Sequence, residues 1–128
     1  LMMRELEIAR DVQQRLFPAQ PPHFPALACA ASCRAPPRVR GDYYDFIPLP
    51  DGGLFFTLGD VSGKGIAAAV LMASIQASIR AQVLNPPPTL AQLMSIFNKA
   101  VSSFSRSERY STLFCGQLDP TFRRLTYS

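Results

Sequence analysis

The sequence predicts an α+β layered domain that combines runs of β-strands with a pair of helices. Two consecutive helical segments lie between strand-like runs, without the strict strand–helix alternation that builds a parallel sheet. The run Pro50-Asp51-Gly52-Gly53 between two apolar segments is a strong hairpin signal. The 128 residues suffice for one compact domain and not for two.

The chain begins with a predicted helix over residues 2–17. Its seam has a 4-3-4-3 spacing and consists of Met2, Leu6, Ala9, Gln13 and Leu16. So short a seam is weak evidence for a coiled coil, but a chain that opens within a helix suggests continuation from a segment upstream. Four prolines then end the helix and predict an extended linker: Pro18, Pro21, Pro22 and Pro25.

Three strands are predicted next, over residues 27–34, 41–49 and 54–58. A loop at Pro36 and Pro37 separates the first two, and the hairpin turn separates the second from the third. The third strand is almost wholly apolar, which is typical of a strand buried within a sheet.

Two helices follow the third strand. The first is predicted over residues 62–84 with Ser62 as its N-cap, and the second runs from Thr89, its N-cap, to about residue 103. The remaining elements are a strand over residues 110–118, a turn at 119–121 and the start of a partner strand in 122–127. Because the chain stops within a strand, we expect the domain to be incomplete.

Composition narrows the class of protein. Three cysteines are an odd number, which argues against a disulfide framework and predicts a reduced, cytoplasmic compartment. No apolar run reaches the ~18 residues that span a bilayer, and no signal-peptide pattern opens the chain. The net charge of +4 comes from scattered arginines without a recognisable nucleic-acid-binding module. We therefore expect these arginines to form solvated surface and not a nucleic-acid-binding site, with a docking face for an acidic or phosphorylated protein as the alternative.

Two segments combine aspartate with glycine at strand ends. They are Arg40-Gly41-Asp42 with the aromatic residues after it, and Gly59-Asp60-Val61-Ser62-Gly63-Lys64-Gly65. A hairpin joins their strands, and antiparallel neighbours lie ~4.8 Å apart, so Asp42 and Asp60 can share a pair of metal ions. Hard oxygen ligands favour Mg²⁺ or Mn²⁺, while one histidine and no paired cysteines make zinc improbable.

The second segment is not a nucleotide-binding P-loop. That motif needs four residues between its glycines and a Lys-Ser or Lys-Thr pair after them. Here three residues separate Gly59 from Gly63, and Lys64 is followed by Gly65. The aspartate within the loop would also repel a phosphate that no metal bridges.

The string VRGDYYDFIPLPDGGLFFTLGDVSGKGIAAAVLMA resembles the bacterial branch of the PPM-type (type 2C) metal-dependent protein serine/threonine phosphatases. Within that family the resemblance is to the stage II sporulation phosphatase and the stress-response sigma-factor regulators. The strings IARDVQQRLFP and STLFCGQLDPTFRRLTYS match the same family, so nearly the whole chain is covered. The resemblance implies the amino-terminal half of a layered β-sandwich flanked by antiparallel helices. Residues 1–17 would be a linker or signalling helix, and residues 18–128 the first part of the phosphatase domain.

The resemblance also implies a ligand set for two Mn²⁺ or Mg²⁺ ions. Asp42 matches the first metal-binding aspartate of the family, Asp60 matches the one that bridges both ions, and Val61 would contribute its backbone carbonyl. Three glycines of the motif, Gly41, Gly59 and Gly63, would permit close backbone approach around the ions. Asp45 also matches the motif and is expected to be structural or to support the ligands. Lys64 is expected to be solvated, with a contact to substrate phosphate as the lesser alternative.

The implied activity is hydrolysis of phosphoserine or phosphothreonine by metal-activated water, without a covalent enzyme intermediate. The implied substrate is a phosphorylated anti-anti-sigma-type protein. An upstream sensor domain would signal through the first helix, and the two helices within residues 62–103 resemble those whose repositioning switches activity in this group.

Two departures from the family pattern lower the expected activity of this chain. Arg40 stands where the family usually has glycine, and the remaining acidic ligands belong to a carboxy-terminal half that this sequence lacks. We therefore expect weak metal binding and little activity from the chain alone. The alternative is a non-catalytic regulatory or dimerisation module, and in either case exposed strand edges predict self-association, as in a homodimer.

Overall fold

A computed structural model describes residues 2–33, 41–63, 65–85, 89–104 and 110–128 and confirms the α+β class. The described residues form one antiparallel sheet with strand order β1-β2-β3-β4. The elements in chain order are α1 (Met2–Leu16), β1 (Asp42–Pro48), β2 (Leu54–Val61), α2 (Gly65–Leu84), α3 (Leu90–Phe104), β3 (Ser111–Leu118) and β4 (Leu125–Tyr127). A second sheet, as a sandwich would have, is not present in these ranges and stays a prediction.

The predicted hairpin joins β1 to β2. The Leu49 and Gly53 backbones are linked by a 2.8 Å hydrogen bond, and the Gly53 amide also donates to Asp51 Oδ1 at 2.8 Å. Gly52 has a φ of 94°, a backbone conformation that glycine adopts without strain. β2 is longer than predicted and continues through Val61, so that its last residues pair with both β1 and β3.

One face of the sheet, here called the helix face, packs against α2, and α3 packs against α2 and contributes to the same core. Alternate residues of the strands point to this face, because successive side chains of a strand point to opposite sides. The core between sheet and helices includes Tyr43, Ile47, Phe55 and Cys115 from the strands, Ala68, Met72, Ile75 and Ile79 from α2, and Leu93 and Phe97 from α3. The opposite face of the sheet, here called the outer face, carries Asp42 and Asp60.

Helix α2 is apolar around most of its circumference. By length and composition alone it could cross a membrane, which is weak evidence because the core helices of soluble proteins pass the same test. Its inward side lies in the core through Met72, Ile79 and Val83, while Ile66 and Val70 are exposed.

The predicted strand over residues 27–34 is wrong for the part that the structure describes, residues 27–33. Only an isolated bridge between Phe24 and Leu27 occurs there. Residues 27–31 instead line a cavity together with outer-face side chains such as Tyr44 and Phe56. In the described sheet β1 is an edge strand that pairs with β2 alone. Residues 27–33 do not pair with its free edge, so they lack the backbone hydrogen bonds that would make them a strand.

The two predicted N-caps have opposite outcomes. Thr89 is confirmed, since the Gln92 amide donates to Thr89 Oγ1 at 3.3 Å and the Thr89 amide donates to Gln92 Oε1 at 3.1 Å, a reciprocal capping box. Ser62 is wrong, because α2 begins only at Gly65. The Ser62 hydroxyl accepts a hydrogen bond from the Tyr110 amide at 2.9 Å, which joins the residue after β2 to the residue before β3.

Helix α1 packs against α2. The predicted seam provides part of this contact: Gln13 is buried, and the backbone carbonyl of Leu16 accepts a hydrogen bond from Gln76 of α2. The carboxy-terminal end of the predicted seam therefore packs against α2 of the same chain.

Candidate metal centre

Asp42 and Asp60 are direct partners in the β1–β2 register. Directly opposed side chains share one face of a sheet, with Cβ atoms ~4.5–5.5 Å apart. Partial desolvation, a hydrogen bond with Asp42 and the negative charge of Asp42 together raise the pKa of the Asp60 carboxyl above its usual range. Two carboxylates placed this close together are arranged as a cation site would require, because a divalent ion between them would offset their repulsion.

The two aspartates line a cleft of about 530 Å³ on the outer face. Ser32, Cys33 and Thr112, which is at the start of β3, also line it. Asp60 is exposed and Asp42 is partly buried, so a hydrated ion could reach both.

The backbone around the aspartates is tightly packed at two glycines. A Cβ atom on Gly41 would lie 2.6 Å from the Val61 carbonyl oxygen, and one on Gly59 would lie 3.1 Å from the Thr112 carbonyl oxygen. The Val61 amide donates to the Gly41 carbonyl at 3.1 Å. Gly41 therefore brings the start of β1 against the end of β2, where the predicted carbonyl ligand of Val61 lies.

The other predicted positions lie apart from the aspartate pair or outside the described residues. Gly63 has a φ of 93° in the loop before α2, which explains a glycine there. Asp45 is on the helix face, where its buried carboxylate binds Arg80 of α2. Lys64 and Arg40 fall outside the described residues.

The donor set fits a hard divalent cation in kind but not in number. Carboxylate and carbonyl oxygens are the ligands that Mg²⁺ and Mn²⁺ prefer, at about six per ion. Within the described ranges, no group of three or more aspartate, glutamate, histidine or cysteine residues could hold a metal. Asp119 lies beyond the opposite end of β3, where its carboxylate accepts hydrogen bonds from Thr121 and from the Arg123 and Arg124 amides.

Thr112 and Arg80 were missed by sequence reasoning. Thr112 is directly opposite Asp60 in the β2–β3 register, and Arg80 binds Asp45 from the penultimate turn of α2. Recognising Thr112 would have required β2 to be extended through Val61 and the register with β3 to be known. The charge of Arg80 in an otherwise uncharged helix was the available signal for a buried partner.

Residues 50–128 match the family model described as Stage II sporulation protein E (SpoIIE). The chain is 28% identical, over 97% of its length, to the phosphoserine phosphatase RsbU of Bacillus subtilis (strain 168). It is 34% identical over 76 residues, 59% of its length, to the protein IcfG of Synechocystis sp. (strain ATCC 27184 / PCC 6803 / Kazusa). The chain spans 36% of the length of RsbU and 12% of that of IcfG.

A solved structure supports the same relationship. The crystal structure of the RsbU and RsbW domains of Rv1364c from Mycobacterium tuberculosis superposes with a TM-score of 0.59 at 26% sequence identity. The match covers 69% of this chain and 24% of the mycobacterial chain.

Proposed function

Because the chain belongs to the stage II sporulation protein E family, whose phosphatase domains are of the PPM type, we propose that it forms part of a metal-dependent protein phosphatase. The reaction is hydrolysis of phosphoserine or phosphothreonine on a regulatory protein. The observation that carries this proposal is the in-register pair of Asp42 and Asp60 in an open cleft. The family resemblance drawn from the sequence is confirmed by the match over residues 50–128.

Asp42, Asp60 and the Val61 carbonyl would hold the metal. When bound, a pair of Mg²⁺ or Mn²⁺ ions supplies charge neutralisation for a phosphoryl group and lowers the pKa of a water molecule. The β1–β2 ladder sets the spacing of the two carboxylates, and the Val61 carbonyl lies next to Gly41, the residue that precedes Asp42. Acidic residues from other parts of the protein would complete the coordination.

The proposed substrate is a phosphorylated anti-anti-sigma-type protein in the cytoplasm. RsbU, which the chain resembles over almost its full length, is by name a phosphoserine phosphatase, and the mycobacterial structure contains RsbU and RsbW domains. Residues 1–17 would carry a signal from an upstream sensor, which the contact of Leu16 with Gln76 could pass to α2. Residues 18–128 would then be the first part of the phosphatase domain.

A second candidate function is a non-catalytic regulatory or dimerisation module. It is favoured by the observation that, within the described ranges, only two carboxylates converge on the cleft. The exposed apolar side chains on the outer face, Leu58 and Phe114, support self-association in either case. We propose that the isolated chain binds metal weakly and turns over little substrate.

Hydrolysis of a phosphoserine peptide by the full-length protein, with and without Mn²⁺, tests the proposed activity. We expect Mn²⁺-dependent phosphate release that Asp60→Asn abolishes. The matched control is Asp11→Asn, which removes an exposed carboxylate of α1 and should leave turnover unchanged. Mn²⁺-independent turnover, or turnover that survives Asp60→Asn, would overturn the proposal, and absence of turnover together with absence of Mn²⁺ binding would favour the second candidate.

A further inference from the structure

Three polar residues form a row across the outer face. Asp42 on β1 is opposite Asp60 on β2, and Asp60 is opposite Thr112 on β3. All three line the same cleft. The central carboxylate therefore has an acidic neighbour on one side and a hydroxyl on the other.

The hydroxyl of Thr112 makes a long, weak hydrogen bond. It donates to the backbone carbonyl of Asp60 over 3.5 Å, whereas O–H···O bonds are usually about 2.7–2.8 Å long. Opposed residues on neighbouring antiparallel strands have Cβ atoms ~4.5–5.5 Å apart, so rotation about χ1 brings this hydroxyl within reach of the Asp60 carboxylate. Thr112 is exposed to the cleft, which leaves room for that rotation.

We propose that Thr112 is a positioning residue that donates a hydrogen bond to the carboxylate of Asp60 and orients it toward the metal shared with Asp42. This inference rests on the proposed function. An ionised carboxylate has about four acceptor sites, so Asp60 can accept this bond and still bind a cation. Partners that orient a metal ligand typically contribute 10- to 100-fold in metal affinity.

Ser111 provides a matched control. It is adjacent to Thr112 in the chain and also carries a hydroxyl, but it is opposite Val61 and therefore points to the helix face. Its hydroxyl donates to the Thr112 carbonyl at 3.2 Å. Removing the Ser111 hydroxyl changes the same strand without changing the row of Asp42, Asp60 and Thr112.

The test is the Mn²⁺ dissociation constant of the full-length protein, measured by calorimetric titration for four variants. Thr112→Val, which keeps the shape and removes the hydroxyl, should weaken Mn²⁺ binding by about tenfold or more. Thr112→Ala should do the same, and serves as a second variant if valine disturbs the strand. Thr112→Ser should restore binding to within about threefold of wild type, because it keeps the hydroxyl, and Ser111→Ala should bind as wild type does.

Three outcomes would contradict the proposed role of Thr112. Equal Mn²⁺ affinity of Thr112→Val, Thr112→Ala and wild type would overturn the role of Thr112 and leave the proposed function standing. Equally weak binding by Thr112→Ser and Thr112→Val would also overturn it, since the hydroxyl would then not be the cause. A wild-type protein that binds no Mn²⁺ would overturn both the proposed function and this inference.

Discussion

The guanidinium of Arg80 donates two hydrogen bonds of 2.7 Å to the carboxylate of Asp45, from Nε to Oδ2 and from Nη2 to Oδ1. The Asp45 side chain is fully buried, while that of Arg80 is 45% exposed. The Phe46 amide donates to the same carboxylate at 2.9 Å. Through these bonds the penultimate turn of α2 is attached to β1, three residues along the strand from Asp42.

Arg80→Met is expected to destabilise the protein because it leaves the Asp45 carboxylate buried without its counter-charge. The loss should be about 3 kcal/mol, toward the low end for broken buried ion pairs, because Arg80 is partly exposed and water can reach the site. Urea unfolding measures it. Arg80→Lys keeps the charge but not the paired donors and should lose less. Arg4→Met, an exposed control on α1, should change stability by no more than about 0.5 kcal/mol. Equal stability of Arg80→Met and wild type would contradict the importance of this ion pair.

Gly41→Ala is expected to lower both stability and Mn²⁺ affinity. The new methyl group would lie 2.6 Å from the Val61 carbonyl oxygen and 3.3 Å from Ala68 Cβ, so the ends of β1 and β2 must move apart. Overpacking of this kind costs about 1–3 kcal/mol. Thermal unfolding and Mn²⁺ titration of the full-length protein provide the two measurements.

Gly65→Ala is the control for Gly41→Ala. Its Cβ would meet no atom within 4 Å, but the φ of 79° disfavours a side chain. We therefore expect a loss of stability of about 1–2 kcal/mol from backbone strain, without a change in Mn²⁺ affinity. If Gly41→Ala bound Mn²⁺ as tightly as Gly65→Ala does, the contact between Gly41 and Val61 would not position the site.

The three cysteines are expected to differ in reactivity. Burial raises the pKa of the Cys115 thiol, against a smaller opposing effect of its hydrogen-bonding contact with Thr57, and so lowers the fraction of reactive thiolate. Cys29 and Cys33 are partly exposed. Titration of the native protein with Ellman's reagent near pH 8 should therefore label Cys29 and Cys33 quickly and Cys115 only after unfolding. Rapid labelling of all three thiols in the folded protein would contradict the buried position of Cys115.

Asp119 is expected to make stability depend on pH at the acid end. Although partial desolvation acts to raise the pKa of its carboxyl, hydrogen bonds from the Arg124 amide, Thr121 and the Arg123 amide outweigh this and lower it. A carboxyl whose pKa is lower in the folded state stabilises the fold above its unfolded pKa, and this contribution is lost as the pH falls through the folded value. Asp119→Asn should thus lower Tm at pH 7 and have a smaller effect at pH 2. A Tm difference that is the same at both pH values would exclude this linkage.

The order of elements and the aspartate pair could be predicted because they follow from local features. The hairpin turn at Pro50 to Gly53 determines which strands are neighbours, and Asp42 and Asp60 are nearly equidistant from it along the chain. Thr89 could be recognised as a cap because a capping box involves residues only three apart.

Predictions failed where a local sequence pattern is compatible with more than one structure. Residues 27–33 are mostly small and apolar, which is compatible with a strand, yet they form no ladder, and residues 27–31 instead line a cavity with side chains of the outer face. Ser62 has the chemistry of an N-cap, but its hydroxyl is taken by the amide of Tyr110, which is 48 residues away in the chain.

The sequence was sufficient to determine the family, the hairpin and the meeting of Asp42 with Asp60, because turn chemistry and strand periodicity act over a few residues. The tertiary structure decided that Thr112 lies beside Asp60, a relationship across 52 residues, and that Arg80 binds Asp45 across 35. Such pairs depend on strand register and on how a helix packs on a sheet. Both are set by the burial of many side chains at once, which no short segment of the chain specifies.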